Sequence, residues 1–185
     1  MALPPALRGS VTPQELEMIA SQQVIEIIPL IAMEKTAFIS GAYGPLRPPN
    51  KSKIPLWMAV NLKQKKKCHI VPPRWLNVEF LQGRLDLENS DSRAFCELPF
   101  RFAEIAKVII DIASDDLENP DQIRSLLKDL REARQAKCRA GLGQIDHSEL
   151  SLSNLGSMEI NEIRPVFVQS MNILSKLARS NTLEA

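Results

Sequence analysis

Apolar positions along this chain recur with two different periods, and the change from one to the other divides it. The run Thr12-Pro13-Gln14-Glu15 combines an N-cap residue, a proline at the first helical position and an early acid. That combination predicts a short helix reaching about Ala20, with Leu16 and Ile19 on one side. Residues 24–28 and 36–40 are short and rich in β-branched or apolar side chains. Pro29 and then Gly41, Gly44, Pro45, Pro48 and Pro49 punctuate them, so they read as strands of a small sheet and the glycines as turn residues. Pro55 then opens a helix over residues 56–66. Leu56, Trp57, Ala59, Val60 and Leu62 are its apolar positions, and the lysines gather in its last turn, where they suit the carbonyl end of the helix dipole. Residues 68–71 form a short extended run into Pro72-Pro73, which cannot continue a helix or join a central ladder.

Beyond Pro73 the period is helical. Residues 75–87 predict one helix, 88–93 a polar break, and 98–114 a second helix of unusual character. At ~100° per residue, Glu104, Lys107, Asp111 and Asp115 occupy about a quarter of its circumference, and apolar side chains cover most of the rest. A helix apolar on most sides must be surrounded, either inside a bundle or by another protein. Phe102, Ile105, Ile109, Ile110 and Ile112 are therefore candidate partner-facing residues. Asn119-Pro120-Asp121 starts the next helix. Ile123, Leu126, Leu127, Leu130 and Ala133 line one face of it, arginines and lysines fill the other to Arg139, and Gly141 and Gly143 end it. The last segment, 155–177, repeats Ile160, Ile163, Phe167, Met171, Leu174 and Ala178 at three- or four-residue steps. Pro165 predicts a kink or a fresh start within it. The pattern as a whole gives an α+β fold, mostly α: a small β-rich domain with a short N-terminal helix over 1–62, then an α-helical bundle domain over 63–185.

Composition changes this picture little. With 185 residues, 44% hydrophobic and 24% charged, the chain can bury a real core as one domain or two small ones. No apolar run approaches the roughly 18 residues of a membrane span, and residues 1–10 hold two prolines where a signal peptide needs a sustained apolar stretch. No membrane partner is expected. Cys68, Cys96 and Cys138 are three and far apart, so they build neither a disulfide framework nor a paired-cysteine metal site, and a reducing compartment fits. The sequon at Asn50-Lys51-Ser52 carries little weight without a secretory signal.

Charge changes it more. The net charge is only +1, yet residues 35–78 contain no acid and nine bases: Lys35, Arg47, Lys51, Lys53, Lys63, Lys65, Lys66, Lys67 and Arg74. A basic segment on an acidic body suggests nucleic acid or an acidic protein surface as partner, or simply a solvated loop and helix end. Lys63, Lys65, Lys66, Lys67 and Arg74 are the candidate partner or phosphate contacts, with Trp57 and Trp75 nearby. Two tryptophans and one tyrosine make a poor base-stacking platform, and both tryptophans stand among apolar neighbours, which favours packing.

Catalytic chemistry finds little support. His69 and His147 are the only histidines, and His69 sits beside Cys68 rather than across a turn from it. Ser125 and Lys128 have the spacing of some acyl enzymes but lie in an amphipathic helix without the companion motifs. Gly41 to Gly44 and Gly141 to Gly143 lack the lysine and the length of phosphate-cradling loops. Asp115, Asp116 and Glu118 read as acids favouring the positive end of the next helix rather than as cation ligands. No catalytic residue, metal site or cofactor is expected.

One long stretch is specific. Ile54-Pro55-Leu56-Trp57-Met58-Ala59-Val60-Asn61-Leu62-Lys63-Gln64-Lys65-Lys66-Lys67-Cys68, followed by Val71-Pro72-Pro73-Arg74-Trp75-Leu76, resembles the signature of the Psf-two family of subunits of the eukaryotic GINS complex. The resemblance continues through residues 24–29, 39–45, 123–130, 134–137 and 155–161. It implies a non-enzymatic scaffold subunit, in the nucleus, of a heterotetramer with the Sld-five, Psf-one and Psf-three subunits. That complex joins the MCM ring and Cdc-forty-five to form the active replicative helicase of the replication fork. It implies an indirect link to a replicative DNA polymerase and leaves DNA contact inside the assembly open. In this family a small β-rich domain precedes the helical one, and helices of the related subunits pack together, which would cover the apolar helix at 102–113. The alternative from another class is a free-standing nucleic-acid-binding adaptor using the basic segment from Lys35 to Arg74.

Overall fold

A computed structural model of the chain describes residues 11–90, 94–142 and 153–183. Helix α1 (Pro13–Ala20) opens it with a complete capping box. The Thr12 hydroxyl accepts from the Glu15 amide, the Glu15 carboxylate accepts from the Thr12 amide, and Pro13 fills the first turn. Leu16 and Ala20 are its buried positions, whereas Ile19, read on the same side as Leu16, is 41% exposed.

Strand β1 (Val24–Pro29) is the centre of a three-stranded antiparallel sheet, flanked by β4 (Ser52–Pro55) and β5 (Cys68–Val71). Its alternation puts Ile25 and Ile27 inside, facing Ile54 and Ile70 in register. Between β1 and β4 the chain makes a separate hairpin of β2 (Thr36–Phe38) and β3 (Gly41–Tyr43), so the predicted strand over 36–40 is shorter and turns back on itself. Gly41 is thus a strand residue, and its φ of 144° explains why a glycine stands there. Helix α2 (Leu56–Gln64) follows β4 without a loop and buries Leu56, Met58, Ala59 and Leu62. Because β5 pairs with β1 from Glu26 to Pro29, residues beyond Leu62 complete the sheet unit before Pro72-Pro73 ends the ladder.

Four helices make the second unit: α3 (Val78–Ser90), α4 (Phe102–Ile112), α5 (Pro120–Leu142) and α6 (Ser157–Leu183), with a 3₁₀ turn at Ser114–Asp116 between α4 and α5. Helix α3 packs along α5, and α4 crosses beneath α1 and α2. The expected break at 88–93 begins later, because Glu88 to Ser90 are helical; residues 91–93 lie outside the described residues. Helix α6 runs through Pro165 without interruption. Pro165 is half-buried there and, lacking an amide hydrogen, cannot donate to the carbonyl four residues back, yet the helix continues past it. Helix α5 likewise passes Gly141, with Gly143 outside the described residues.

The sheet unit and the bundle share a single core. Ala20, Ile27, Ile54, Leu56 and Ile70 from the first join Leu81, Phe102, Ile109, Ile123 and Leu130 from the second in one contiguous apolar cluster. Trp57 and Trp75 pack against it, as their apolar neighbours predicted, and Trp57 meets Phe38 and Tyr43 edge-on.

Candidate partner-binding surfaces

The basic cluster divides into one lysine that turns inward and others that stay in water. Lys63 is 9% exposed and its Nζ lies 2.8 Å from Asp115 Oδ2 and 2.7 Å from Asp116 Oδ2. Asp116 also accepts from the Ile70 amide at 2.7 Å and meets His69 Nδ1 at 2.7 Å. Burial pushes the Asp116 carboxyl up, but the hydrogen bonds from Lys63, His69 and Ile70 outweigh it and hold it below its ordinary range. Burial pulls Lys63 down, and the two aspartates more than reverse that. The expectation that Lys63 meets a partner is therefore corrected. It joins α2 and β5 to the turn after α4, and the two aspartates read as favouring the start of α5 do the same work from the other side.

Lys65, Lys66, Lys67 and Arg74 are exposed and make no ion pair among the described residues. Three of them end α2. The Lys66 amide donates to the Lys63 carbonyl at 2.8 Å and the Lys67 amide to the Leu62 carbonyl at 2.9 Å, the paired bonds of a Schellman cap, with Lys66 left-handed at φ 55°. The lysine run is thus a helix end as well as a charged surface. Lys35, Arg47, Lys51 and Lys53 are exposed too, and Lys53 approaches Glu26 at 3.9 Å.

The apolar helix at 102–113 is covered from within. Phe102, Ile105, Ile109 and Ile110 lie between 1% and 6% exposed in the chain's own core, and of the five candidates Ile112 alone is half-exposed. The periodicity correctly required cover on most sides; α1, α2 and α5 supply it. Open apolar surface appears instead on α6. Val166 (53%), Val168 (47%), Met171 (36%) and Ile173 (59%) are exposed, and Ile163 and Phe167 only half-buried. At ~100° per residue all of these but Val168 fall within about 160° of the helix.

A second feature escaped the sequence. Arg134, on the face of α5 read as solvated, is fully buried. Its Nε and Nη2 lie 2.5 and 2.8 Å from the two carboxylate oxygens of Glu159, a bidentate pair, and Nη1 lies 3.1 Å from Glu88 Oε2. Nη1 also donates to the Cys96 carbonyl at 3.2 Å and Nη2 to the Asn154 carbonyl at 2.7 Å, while the guanidinium stands over Phe95 and Phe102. Lys137 adds a 2.6 Å bond to Glu88 Oε1. One hub thus ties α3, α5, α6 and two connections together. Burial pushes Glu88 up, but hydrogen bonds from Cys96 and Lys137 and the charge of Arg134 hold its carboxyl below the ordinary range. The only sequence signal was helical phase: Arg134 follows Leu130 by four residues and so continues the buried stripe.

Between α1, α4, α5 and α6 lies a groove of about 290 Å³. Ala103, Ala106, Ile110, Leu127 and Met158 give it apolar walls, and Glu104 stands in it. Glu104, expected on the polar face of its helix, is 3% exposed, and neither carboxylate oxygen has a hydrogen-bond partner among the described residues. Burial pushes its pKa up from 4.5, although the neighbouring Ser157 hydroxyl and the charge of Arg101 pull the other way.

His69 belongs to the Asp116 cluster, and His147 lies outside the described residues. Cys68, Cys96 and Cys138 are free thiols, each pushed up to about 11 by burial. Ser125 and Lys128 are exposed on α5, as a helix surface should be. No group of three or more metal-ligating side chains occurs among the described residues, and no helix there is long and apolar enough to cross a membrane.

A small sheet unit feeding a four-helix unit defines the class. Residues 12–71 match the family model of the PSF2 N-terminal domain, and residues 75–178 match that of the GINS complex protein helical bundle domain. The chain belongs to the PSF2 family of GINS complex proteins. It is 40% identical to DNA replication complex GINS protein psf2 of Schizosaccharomyces pombe over 97% of both chains. It is 35% identical to the human protein named DNA replication complex GINS protein PSF2, over 88% of this chain and 90% of that one. The protein of that name from Saccharomyces cerevisiae is 31% identical, over 96% and 92%. The sequence resemblance and both family models agree on the family and on the order of its two parts.

Proposed function

We propose that this chain is a non-catalytic scaffold subunit of a heterotetrameric GINS complex in the nucleus. Its partners are the Sld-five, Psf-one and Psf-three subunits, and the assembled complex joins the MCM ring and Cdc-forty-five as part of the replicative helicase. A replicative polymerase is linked only indirectly. Membership of the PSF2 family supports the complex, and the observation that carries the scaffold reading is the open apolar arc of α6 through Val166, Met171 and Ile173. Such an arc on a long helix is what a helix of another subunit would cover. The contribution to unwinding is geometric: a subunit that binds one state of the motor ring more tightly shifts the ring toward that state.

Co-expression with the other three subunits, followed by native mass measurement, tests the assembly. The expected species contains one copy of each chain, and Met171→Glu with Ile173→Glu releases this chain while leaving its own thermal transition unchanged, since both side chains are exposed. An intact tetramer with both substitutions overturns the α6 interface. For the helicase role, ATP-driven unwinding of a forked duplex is compared with and without the tetramer; equal unwinding refutes it. The adaptor alternative predicts tight binding of bare DNA by this chain alone, lost steeply with salt.

A further inference from the structure

We infer that the open face of the sheet beside the end of α2 binds an acidic, aliphatic segment of another protein. Aliphatic side chains of that segment seat on Ile28, Leu30 and Ile31, and its carboxylates meet Lys65, Lys66 and Lys67. This goes beyond the reading of the chain as a complex subunit and uses a surface apart from the bundle and from the outer arc of α6.

An antiparallel sheet with one face on the core ordinarily turns polar side chains to water on the other. Strand β1 departs from that rule. Ile25 and Ile27 are buried, while the outward positions are Val24 (60% exposed), Glu26, the half-buried Ile28 and, one residue past the strand, Leu30 (50%). The Leu30 amide donates to the Lys67 carbonyl at 2.8 Å, which carries the β1–β5 register one pair further. Leu30 therefore stands opposite Lys67, as Ile28 stands opposite His69. Ile31, also exposed, follows. An apolar strip is thus set directly against the lysine cap of α2. Charge selects the occupant. The acids of this row and its edge are engaged, Glu26 with Lys53 at 3.9 Å and Asp116 with Lys63, His69 and the Ile70 amide. Lys65, Lys66 and Lys67 have no counter-ion among the described residues, and the sequence holds no acid from residue 35 to 78. Such a surface attracts carboxylates or phosphates. The strip then favours protein over nucleic acid. Aliphatic side chains give a base nothing to stack on, and Trp57, the aromatic residue of α2, is already met edge-on by Phe38 and Tyr43.

The probe is a labelled random copolymer of glutamate and leucine, titrated into the full chain beside polyglutamate and oligothymidylate of equal charge. The copolymer is expected to bind about fivefold more tightly than polyglutamate, and Leu30→Ser to remove that preference. Lys66→Asn with Lys67→Gln is expected to weaken the copolymer by about fivefold. Both variants should keep the parent Tm, since the side chains are exposed and asparagine tolerates the left-handed backbone at 66. Should the double variant lower Tm, Lys65→Gln, outside the left-handed position, repeats the charge arm. A copolymer that binds no better than polyglutamate, or as well to the variants as to the parent, overturns the inference. So does oligothymidylate that binds more tightly than the copolymer and weakens with the same substitutions, which would assign the surface to nucleic acid. Native mass measurement with the other three subunits separates this outcome from the subunit reading. The variants are expected to assemble fully; if they fail where the parent assembles, the inference falls and the subunit reading stands. If the parent itself does not assemble, the subunit reading falls and the copolymer titration still decides this one.

Discussion

Arg134 shows how far one side chain can depart from its class. Arginine is among the residues least often buried, and here it is fully enclosed with two carboxylates, two carbonyls and two aromatic rings around it. An enclosed ion-pair hub adds little net stability as a whole, because desolvation offsets attraction, yet removing one partner strands the others. Arg134→Met should therefore destabilise the chain by about 3–5 kcal/mol, since Glu88 and Glu159 would remain buried. Chemical denaturation monitored by circular dichroism checks this, and a loss below about 1 kcal/mol would show that the carboxylates find other partners. The phase of the α5 stripe was legible in the sequence, but not the two acids that come to meet it from 46 and 25 residues away.

Elements were easier to foresee than their ends. Helix α1 was readable because its capping signals are local, all within Thr12 to Glu15. The hairpin β2–β3 was half-readable, since its glycines suggested turns while strand pairing decides which of them lies in a ladder. At the end of α2, the Schellman cap forces Lys66 into the left-handed region, where a Cβ is unfavourable. Lys66→Gly should raise stability by up to about 1 kcal/mol, and the midpoint of urea unfolding measures it. A fall would mean that the charge of Lys66 at the carbonyl end of the helix matters more than its backbone strain. The same experiment bears on the basic cluster, because it removes one of its exposed charges without touching Lys63.

The whole molecule behaves as one body because its core crosses the boundary between the family's two parts. Ile27 and Ile54 of the sheet and Ile109 and Leu130 of the bundle belong to one cluster, and the Lys63–Asp116–Ile70 bonds fasten the same junction at its edge. Fluorescence of Trp57 and Trp75 and the helical dichroism should accordingly lose signal in a single coincident thermal transition; two separated transitions would refute the shared core. Acid acts on this body in two directions. Glu88 and Asp116 have folded pKa values below their ordinary 4.5 and 3.8, so the stability they contribute is present above those values and is lost as pH falls below them. Glu104 has a raised folded pKa, so its penalty is full above that pKa and is relieved as pH falls toward 4.5. The gain in Tm from Glu104→Gln should thus be largest at neutral pH and close as pH approaches 4.5. A gap independent of pH would show that burial of the charge is not its origin.

What the sequence determined by itself is what depends on neighbours along the chain: the caps, the apolar periods, the change from strand to helix near Pro72-Pro73, and a family signature long enough to be specific. The assignment of α4 as a helix needing cover on most sides belongs here too. Only the tertiary structure decided who supplies that cover. Phe102, Ile105, Ile109 and Ile110 looked available to a partner because periodicity counts apolar faces and cannot count the elements that fold back onto them. Lys63 and Arg134 looked solvated for the same reason, their acids lying 52 and 46 residues away and on other elements. Conversely, α6 reads as an ordinary bundle stripe, and its openness follows from where α5 and α1 stop touching it. Burial is a property of the assembled surface, and a long-range encounter between charges leaves no trace in the local spacing of either partner.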